Sequence, residues 1–298
     1  MTQLSIGVFD SGVGGLSVLS EIEQRLPNES LVYFADQKHV PYGSRSLDDV
    51  RELSEGITQL LLEQGCTLVV VACNTASAAA LKALRSSFPD TPFVGMEPAV
   101  KPAAEHSTTG KVAVLATPAT FQGALFASVV DRFAHDVDVV EIIAPGLVEQ
   151  IEDGQTASEA VESILLESLE PVKSQGIDTL VLACTHYSFV IPAIQRVLGP
   201  AISVIDPAPA VAMQTVKLWG QQKHDGDTLT GTSTLTGTST LTGTSTHAGT
   251  GTQAGTRVRY ITSGDPEVFR RSLLTLIGDE GTAQAALWEA GSVVLRGN

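Results

Sequence analysis

Short aliphatic runs alternate with longer segments of helical periodicity along this chain, and few folds accommodate that alternation. The runs are mostly apolar at consecutive positions, and they cover residues 6–9, 31–34, 68–71, 93–96, 112–115, 137–140, 179–182 and 202–205. Strands that are apolar on both faces are typical of parallel sheets covered by helices on each side. The pattern therefore predicts an α/β fold.

An internal repeat without gaps relates residues 64–75 to residues 175–186. Five of the twelve aligned positions are identical, and the constant offset of 111 places Cys73 on Cys184. The competing explanation is that buried strands resemble one another because all of them are aliphatic. A duplication predicts that each half ends its third strand with a cysteine, at the edge where parallel sheets bind ligands. We therefore expect the two thiols to face one shared cleft.

Length and charge exclude several classes of protein. A chain of 298 residues predicts roughly two domains. The net charge of −15 repels phosphate backbones and anionic lipids, so we expect neither nucleic acid nor membrane as a partner. The apolar runs are far shorter than the ~20 residues that span a bilayer. An odd number of cysteines and no secretory leader pattern predict reduced thiols in the cytoplasm.

The two repeated cysteines are the first candidates for chemistry. Cys73 and Cys184 each follow an aliphatic run and precede polar residues, whereas Cys66 fits the usual small buried apolar cysteine. The chain lacks zinc-ligand spacing, so no metal is expected. Acid–base and nucleophilic chemistry remain, with His186 and Asp10 as groups that tune the thiols. Two thiols in opposite protonation states on either side of one carbon suit proton exchange with inversion.

A glycine-rich turn at residues 10–17 follows the first run and precedes a helix. Backbone N–H groups at such a turn attract carboxylate or phosphate. The turn lacks the third glycine of a dinucleotide fingerprint and the lysine of a phosphate-binding loop, so a small carboxylate is the predicted guest. A plain tight turn is the alternative. The segment Pro41-Tyr42-Gly43 by itself fits an ordinary turn.

A six-residue Thr/Gly/Ser-rich repeat begins at residue 228 and decays by residue 256. One leucine per unit cannot build a packed core, which favours a flexible linker loop over turns of a β-helix. A returning strand is predicted at 257–262 and a helix at 266–278, opened by Asp265. Trp288 is expected in the core.

Four motifs together resemble the glutamate racemases of the aspartate/glutamate racemase family. They are Asp-Ser-Gly-Val-Gly-Gly at 10–15, Pro-Tyr-Gly at 41–43, Ala-Cys-Asn-Thr-Ala at 72–76 and Ala-Cys-Thr-His-Tyr at 183–187. The resemblance implies two pseudo-symmetric domains, each a parallel-type sheet flanked by helices, with the active site in the cleft between them. It also implies a discontinuous first domain, residues 1–97 plus 207–298 with a flexible insertion at about 225–256, and a second domain at 98–206.

The resemblance further implies cofactor-independent interconversion of L- and D-glutamate, which supplies D-glutamate for peptidoglycan. Cys73 is then the proton-transfer group for D-glutamate and Cys184 the one for L-glutamate. Asp10, His186 and Glu149 match the auxiliary groups. The residues matching substrate-binding positions are Asp10, Ser11, Tyr42, Gly43, Asn74, Thr75, Thr117, Thr120, Thr185 and His186.

The predicted partner is therefore a small-molecule substrate, glutamate, with no cofactor and no metal, and a homodimer is allowed. Three alternatives stay open at the level of sequence. They are an aspartate racemase, a carboxylate-binding protein without catalysis, and a thiol hydrolase with Cys184 as nucleophile beside His186.

Overall fold

A computed structural model describes residues 4–230 and 257–296. The strands in these ranges are β1 (Ser5–Asp10), β2 (Ser30–Ala35), β3 (Cys66–Val71), β4 (Phe93–Gly95), β5 (Lys111–Ala116), β6 (Asp138–Ile142), β7 (Thr179–Ala183), β8 (Ser203–Ile205), β9 (Arg257–Thr262), β10 (Ala283–Glu289) and β11 (Ser292–Leu295). The α-helices are α1 (Leu16–Arg25), α2 (Leu47–Glu63), α3 (Asn74–Ser87), α4 (Val100–His106), α5 (Pro118–Gln122), α6 (Ala124–Phe133), α7 (Leu147–Glu152), α8 (Glu159–Ser168), α9 (Glu170–Ser174), α10 (Ile191–Leu198), α11 (Ala208–Thr230) and α12 (Pro266–Ile277). Short 3-10 helices lie at Tyr42–Ser44 and Thr185–Val190.

The strands form two sheets. The larger sheet has the order β11-β10-β9-β2-β1-β3-β4, and its strands are parallel except for the antiparallel pair β10–β11. The smaller sheet has the order β6-β5-β7-β8 and is parallel throughout. Helices connect the parallel strands, as right-handed crossovers require. The predicted α/β fold with parallel sheets flanked by helices is confirmed.

The two halves repeat one topology. The order β2-β1-β3-β4 in the larger sheet matches β6-β5-β7-β8 in the smaller sheet. Their registers match as well, because Phe9 pairs with Val71 in one half and Leu115 pairs with Leu182 in the other. Val71 and Leu182 are separated by the same offset of 111 as the two cysteines. The domain boundaries at 97/98 and 206/207 stay a prediction.

Side chains on both faces of each sheet are buried. Ile6 and Val8 on β1 pack in one apolar cluster, while Phe9 on the same strand packs in a second cluster on the other face. In the smaller sheet, Ala113 and Val114 of β5 likewise point into different clusters. Successive residues of a strand point to opposite faces, so a strand buried on both faces must be apolar throughout.

The C-terminal part of the chain contains a hairpin that the sequence analysis did not predict. The predicted strand at 257–262 is β9, and the predicted helix is α12, which Asp265 caps by accepting from the N–H groups of Glu267 and Val268. Beyond it, β10 and β11 pair as a hairpin, and Trp288 on β10 is half-buried rather than in the core. Helix α11 extends to Thr230, and residues 231–256 of the predicted loop lie outside the described residues.

Within residues 4–230 and 257–296, no helix combines the length and the apolarity needed to cross a membrane.

A loop-closing carboxylate stabilises the smaller sheet at its amino edge. Asp178, just before β7, accepts from Ser107 Oγ at 2.8 Å, from the N–H and hydroxyl of Thr108 at 2.6 and 2.9 Å, and from the Thr109 N–H at 3.0 Å. Desolvation opposes ionisation, yet these hydrogen bonds hold the pKa of Asp178 well below its ordinary value. The carboxylate therefore ties the loop after α4 to the start of β7.

We expect Asp178→Asn to lower the free energy of unfolding by about 1 kcal/mol at neutral pH, an amount that allows for solvent screening of a partly exposed group. Because the pKa is lower in the folded state, the carboxylate contributes stability above the ordinary carboxyl pKa and loses it as the pH falls through the folded-state pKa. The difference from wild type in urea denaturation should therefore shrink below about pH 4. Asp138→Asn, at the exposed start of β6, is the matched control. A difference that stays constant down to pH 3 contradicts the prediction.

Candidate active site

Both repeated cysteines line one cavity between the two sheets. Cys73 follows β3 and Cys184 follows β7, and both side chains are buried. The residues lining the cavity are Ser11, Pro41, Tyr42, Gly43, Cys73, Asn74, Thr75, Thr117, Val148, Cys184, Thr185 and His186. Its volume of about 10 Å³ has room for about one water molecule. The cavity lies at the carboxyl ends of parallel strands from both halves, as the duplication predicted.

Cys73 caps the amino end of α3. Its Sγ accepts from the Ala76 N–H at 3.4 Å and lies 4.0 Å from the Ser11 hydroxyl. Burial, and then the charge of Asp10, raise the pKa of the Cys73 thiol well above its ordinary value, and the Ala76 N–H only partly offsets them. Cys73 is therefore a thiol at neutral pH in this structure.

Cys184 has an ionisable hydrogen-bond partner, which Cys73 lacks within the described residues. His186 Nδ1 lies 3.7 Å from Cys184 Sγ, and His186 Nε2 lies 2.5 Å from Glu152 Oε1. Burial disfavours the imidazolium, but hydrogen bonds to Cys184 and Glu152 outweigh it and raise the pKa of His186 well above its ordinary value. A protonated imidazole therefore donates towards the Cys184 sulfur.

The carboxylate that contacts His186 is Glu152, whereas the predicted auxiliary group Glu149 makes no such contact. Both residues lie on α7, but Glu149 is exposed, whereas the Glu152 side chain is only 10% exposed and contacts His186. A glutamate three residues away occupies the same helical face, so sequence spacing alone could not separate the two. Glu152 carries no motif of its own and was missed for that reason.

The glycine-rich turn binds carboxylates, but they belong to the chain itself. The N–H groups of Gly12 and Gly15 donate to Asp10 Oδ2 at 3.2 and 3.0 Å, and the Val13 N–H donates to Glu152 Oε1 at 2.8 Å. The expectation of a small-molecule carboxylate at this turn is therefore wrong for these N–H groups. The sequence shows the anion-binding turn, and only the fold shows which anion reaches it.

The glycines of this turn let the second half approach closely. A Cβ at Gly12 would overlap the Glu152 carboxylate, and a Cβ at Gly14 would overlap the His186 ring. Only glycine therefore fits at positions 12 and 14, because the two halves pack against each other there.

Asp10 contacts the second half through Thr185. It is fully buried, and Thr185 Oγ1 donates to its Oδ1 at 3.5 Å. Burial raises the pKa of Asp10, while the charge of His186 lowers it in part. Asp10 was predicted to tune the Cys73 thiol. In the structure its charge disfavours the Cys73 thiolate, and no hydrogen bond joins the two side chains in the described residues.

Three threonine hydroxyls form a mutual cluster beside the cavity. Thr75 Oγ1 lies 2.9 Å from Thr117 Oγ1 and 3.2 Å from Thr120 Oγ1, and the last two are 3.0 Å apart. Thr75 and Thr117 line the cavity, while Thr120 supports them from behind. The predicted threonines therefore gather at one place, although they come from segments that follow strands of two different sheets.

Asn74 has a buried amide with unused hydrogen-bonding groups. Its side chain is 2% exposed and lines the cavity, and within the described ranges neither its Oδ1 nor its Nδ2 has a hydrogen-bond partner. Leaving such an amide unpaired costs free energy, so both atoms are available to a polar ligand.

Tyr42 is held by a carboxylate that the sequence analysis did not single out. The Tyr42 hydroxyl donates to Asp36 Oδ2 at 2.6 Å, and Asp36 is fully buried directly after β2. Burial and the Asp36 charge raise the pKa of Tyr42 well above its ordinary value, so the phenol stays protonated. The position of Asp36 at a strand end was the available signal.

In the described part of the chain, no three His, Cys, Asp or Glu side chains cluster in the manner of metal ligands.

Comparison with known proteins agrees with this geometry. A family model described as Asp/Glu/Hydantoin racemase matches residues 6–215. The glutamate racemase of Ectopseudomonas mendocina (strain ymp) is 51% identical over 222 residues, which are 74% of this chain and 84% of that protein. The crystal structure of a glutamate racemase isoform from Bacillus anthracis superposes with a TM-score of 0.78 at 27% identity, covering 98% of this chain and 100% of the other.

A third relative is the Escherichia coli glutamate racemase, whose crystal structure is a complex with L-glutamate and the activator UDP-MurNAc-Ala. It is 35% identical and has a TM-score of 0.68, covering 73% of this chain and 83% of that one. The matched range, residues 6–215, spans both cysteines, His186 and Glu152. On the match over most of its length, the chain belongs to the Asp/Glu/hydantoin racemase family.

Proposed function

We propose that the chain interconverts L- and D-glutamate by proton transfer between Cα and two cysteines. The observation that carries the proposal is that Cys73 and Cys184, from the matching strand ends of two halves with the same topology, line a single cavity. A racemase needs an acid and a base on opposite faces of one carbon, and two halves of this kind supply one thiol each. The relatives named glutamate racemase favour glutamate over aspartate as the substrate.

The cavity lining suits a small zwitterion. The lining offers donors and acceptors to carboxylates and an ammonium group: the hydroxyl groups of Ser11, Thr75, Thr117 and Thr185, and the Asn74 amide, which has no partner in the described part of the chain. The cavity has room for about one water molecule, and glutamate is far larger. We therefore infer that the two halves separate to admit the substrate and close around it, which removes water from the reacting carbon.

The two proposed proton transfers need no further reactant. The thiolate on one face takes the Cα proton, and the electron pair of the broken C–H bond stays on the substrate as a carbanion. The opposite thiol then donates its proton to the other face, so the two cysteines exchange protonation states in each turnover. By the family resemblance Cys184 removes the proton from L-glutamate and Cys73 the one from D-glutamate. The raised pKa of Cys73 keeps it protonated, ready to donate when L-glutamate is consumed.

Three finer statements also belong to this proposal. Supply of D-glutamate for peptidoglycan, a cytoplasmic location and a homodimer stay predictions from the sequence and its resemblance.

The direct test of the proposed activity is a circular dichroism assay with separate solutions of L-glutamate, D-glutamate and L-aspartate. We expect the circular dichroism signal to decay towards zero with either glutamate enantiomer and to stay constant with L-aspartate. A change with aspartate alone, or with none of them, overturns the proposal.

Substitution of either cavity cysteine should abolish racemisation. We expect Cys73→Ser and Cys184→Ser each to lower kcat by about 10³-fold or more, because a serine hydroxyl cannot replace a thiol in proton transfer near neutral pH. Cys66→Ser is the matched control, since Cys66 is buried at the start of β3 outside the cavity and contacts Ser5. The circular dichroism assay decides, and near-normal turnover by either cavity variant would falsify the two-base mechanism.

Solvent hydrogen should enter the product in each turnover. When L-glutamate is converted in D₂O, the D-glutamate formed should carry deuterium at Cα, because the donating thiol has equilibrated with solvent. Proton NMR of the Cα signal at low conversion gives the label content. Unlabelled product would mean that the proton removed from one face of Cα is returned to the opposite face without exchange with solvent, which the two-thiol mechanism does not allow.

The two glutamates on α7 should differ sharply in effect. Glu152→Gln removes the charge that keeps His186 protonated, and we expect kcat/KM to fall by about tenfold or more. Because the enantiomers have equal free energies, kcat/KM must fall equally in both directions. Glu149→Gln changes an exposed carboxylate on the same helix and should leave kcat/KM within about twofold. A larger loss in the Glu149 variant would restore the original sequence assignment.

A further inference from the structure

A buried hydrogen-bond network outside the cavity converges on Asp36. Tyr42 Oη and His39 Nδ1 contact its Oδ2 at 2.6 and 3.0 Å. Ser263 Oγ and Trp288 Nε1 donate to its Oδ1 at 2.6 and 2.8 Å. His39 Nδ1 also lies 3.1 Å from Oδ1, so Oδ2 has two partners and Oδ1 has three, which satisfies both acceptor oxygens of the buried carboxylate.

The network joins three neighbouring strands at one edge of the larger sheet. Asp36 follows β2, Ser263 follows β9, and Trp288 lies near the end of β10. The strands pair in that order, with Ala35 beside Thr262 and Thr262 beside Ala285. The C-terminal hairpin therefore reaches the cavity lining through one carboxylate.

The indole ring of Trp288 sits in a space left by a glycine. Gly56 lies inside α2, where glycine costs stability relative to alanine. A Cβ at Gly56 would lie 3.0 Å from Trp288 Cη2 and 3.1 Å from the Gly291 carbonyl oxygen. The helix thus has a residue with poor helix propensity at the point where the indole packs. This packing orients the ring, and with it the indole N–H.

We propose that Trp288 is a positioning residue for the active site: packed on Gly56, it holds Asp36, and Asp36 holds Tyr42 at the cavity wall. The inference rests on the proposed function, since the cavity is taken as the glutamate site. Trp288 lies beyond residues 6–215, the range that the family model matches. Tyr42 lines the cavity and donates its only hydroxyl proton to Asp36, so displacement of Asp36 moves the cavity wall.

The test compares two tryptophan-to-phenylalanine variants. Trp288→Phe keeps an aromatic ring on Gly56 and removes the N–H donor to Asp36. Trp219→Phe is the matched control, because Trp219 is a buried core residue whose Nε1 has no partner in the described ranges. We expect Trp288→Phe to raise KM for both glutamate enantiomers by about three- to tenfold with kcat within about twofold, the range that loss of one hydrogen bond to a carboxylate allows. Trp219→Phe should leave KM unchanged.

A double-mutant cycle separates positioning from general stability. Because Trp288 acts through Tyr42, adding Trp288→Phe to Tyr42→Phe should raise KM no further than Tyr42→Phe alone. Additive effects, or an equal rise of KM in Trp219→Phe, overturn the inference. If Trp288→Phe does not fold, the Gly56→Ala variant tests the inference instead. Its methyl group displaces the indole and should raise KM, even though alanine stabilises the helix relative to glycine. Unchanged KM in a folded Gly56→Ala protein then counts against the inference.

A readout that is independent of activity distinguishes this inference from the proposed function. The chain has two tryptophans, so ¹⁵N labelling gives two indole N–H signals, and Trp219→Phe identifies the one from Trp288. Tyr42→Phe should shift the Trp288 signal, because both groups share Asp36. If wild type fails to racemise glutamate while the shift occurs, only the proposed function falls. If wild type racemises glutamate and the signal does not move, only the role of Trp288 falls.

Discussion

The carboxylate of Glu152 is the contact on which the arrangement of the site depends. One of its oxygens accepts from the Val13 N–H of the first half and from His186 of the second, and the other oxygen lies 3.5 Å from the Gln37 amide nitrogen. A single partly buried carboxylate therefore joins the glycine-rich turn after β1 to the imidazole beside Cys184. Hydrogen bonds to a charged acceptor are stronger than neutral ones, and partial burial strengthens them further.

The scaffold is nearly symmetric, but the surroundings of the two cysteines are not. Equivalent strand orders bring Cys73 and Cys184 to one cavity, yet Cys73 follows β3 as the cap of a 14-residue helix, whereas Cys184 precedes a short 3-10 helix. The first sulfur receives a backbone N–H and faces Asp10, and the second faces an imidazole. The repeated topology thus brings two thiols to one cavity, and the different segments that follow them give two different electrostatic environments.

The cavity and the residues around it concentrate groups that a purely structural core avoids. Asp10 and Asp36, behind the cavity lining, are carboxylates with no exposed surface, and the Asn74 amide in the lining has no partner among the described residues. Buried polar atoms without partners reduce stability, and they persist where a ligand completes their hydrogen bonds. The surrounding sheets, apolar on both faces, offset that cost through burial of aliphatic surface.

Local sequence determined strands β1 to β9 and the pair of cysteines, because runs of consecutive apolar residues and a constant offset of 111 are visible without coordinates. It also determined that the turn after β1 binds an anion and that His186 adjoins Cys184, since both depend on residues close in the chain. Glu152 rather than Glu149, the filling of the turn by Asp10 and Glu152, and the contact of Trp288 with Asp36 were decided by tertiary structure. Each of these three features depends on contacts between residues that are far apart in the sequence. Those contacts form only when the two sheets and the C-terminal hairpin pack together, and no local sequence pattern encodes that packing.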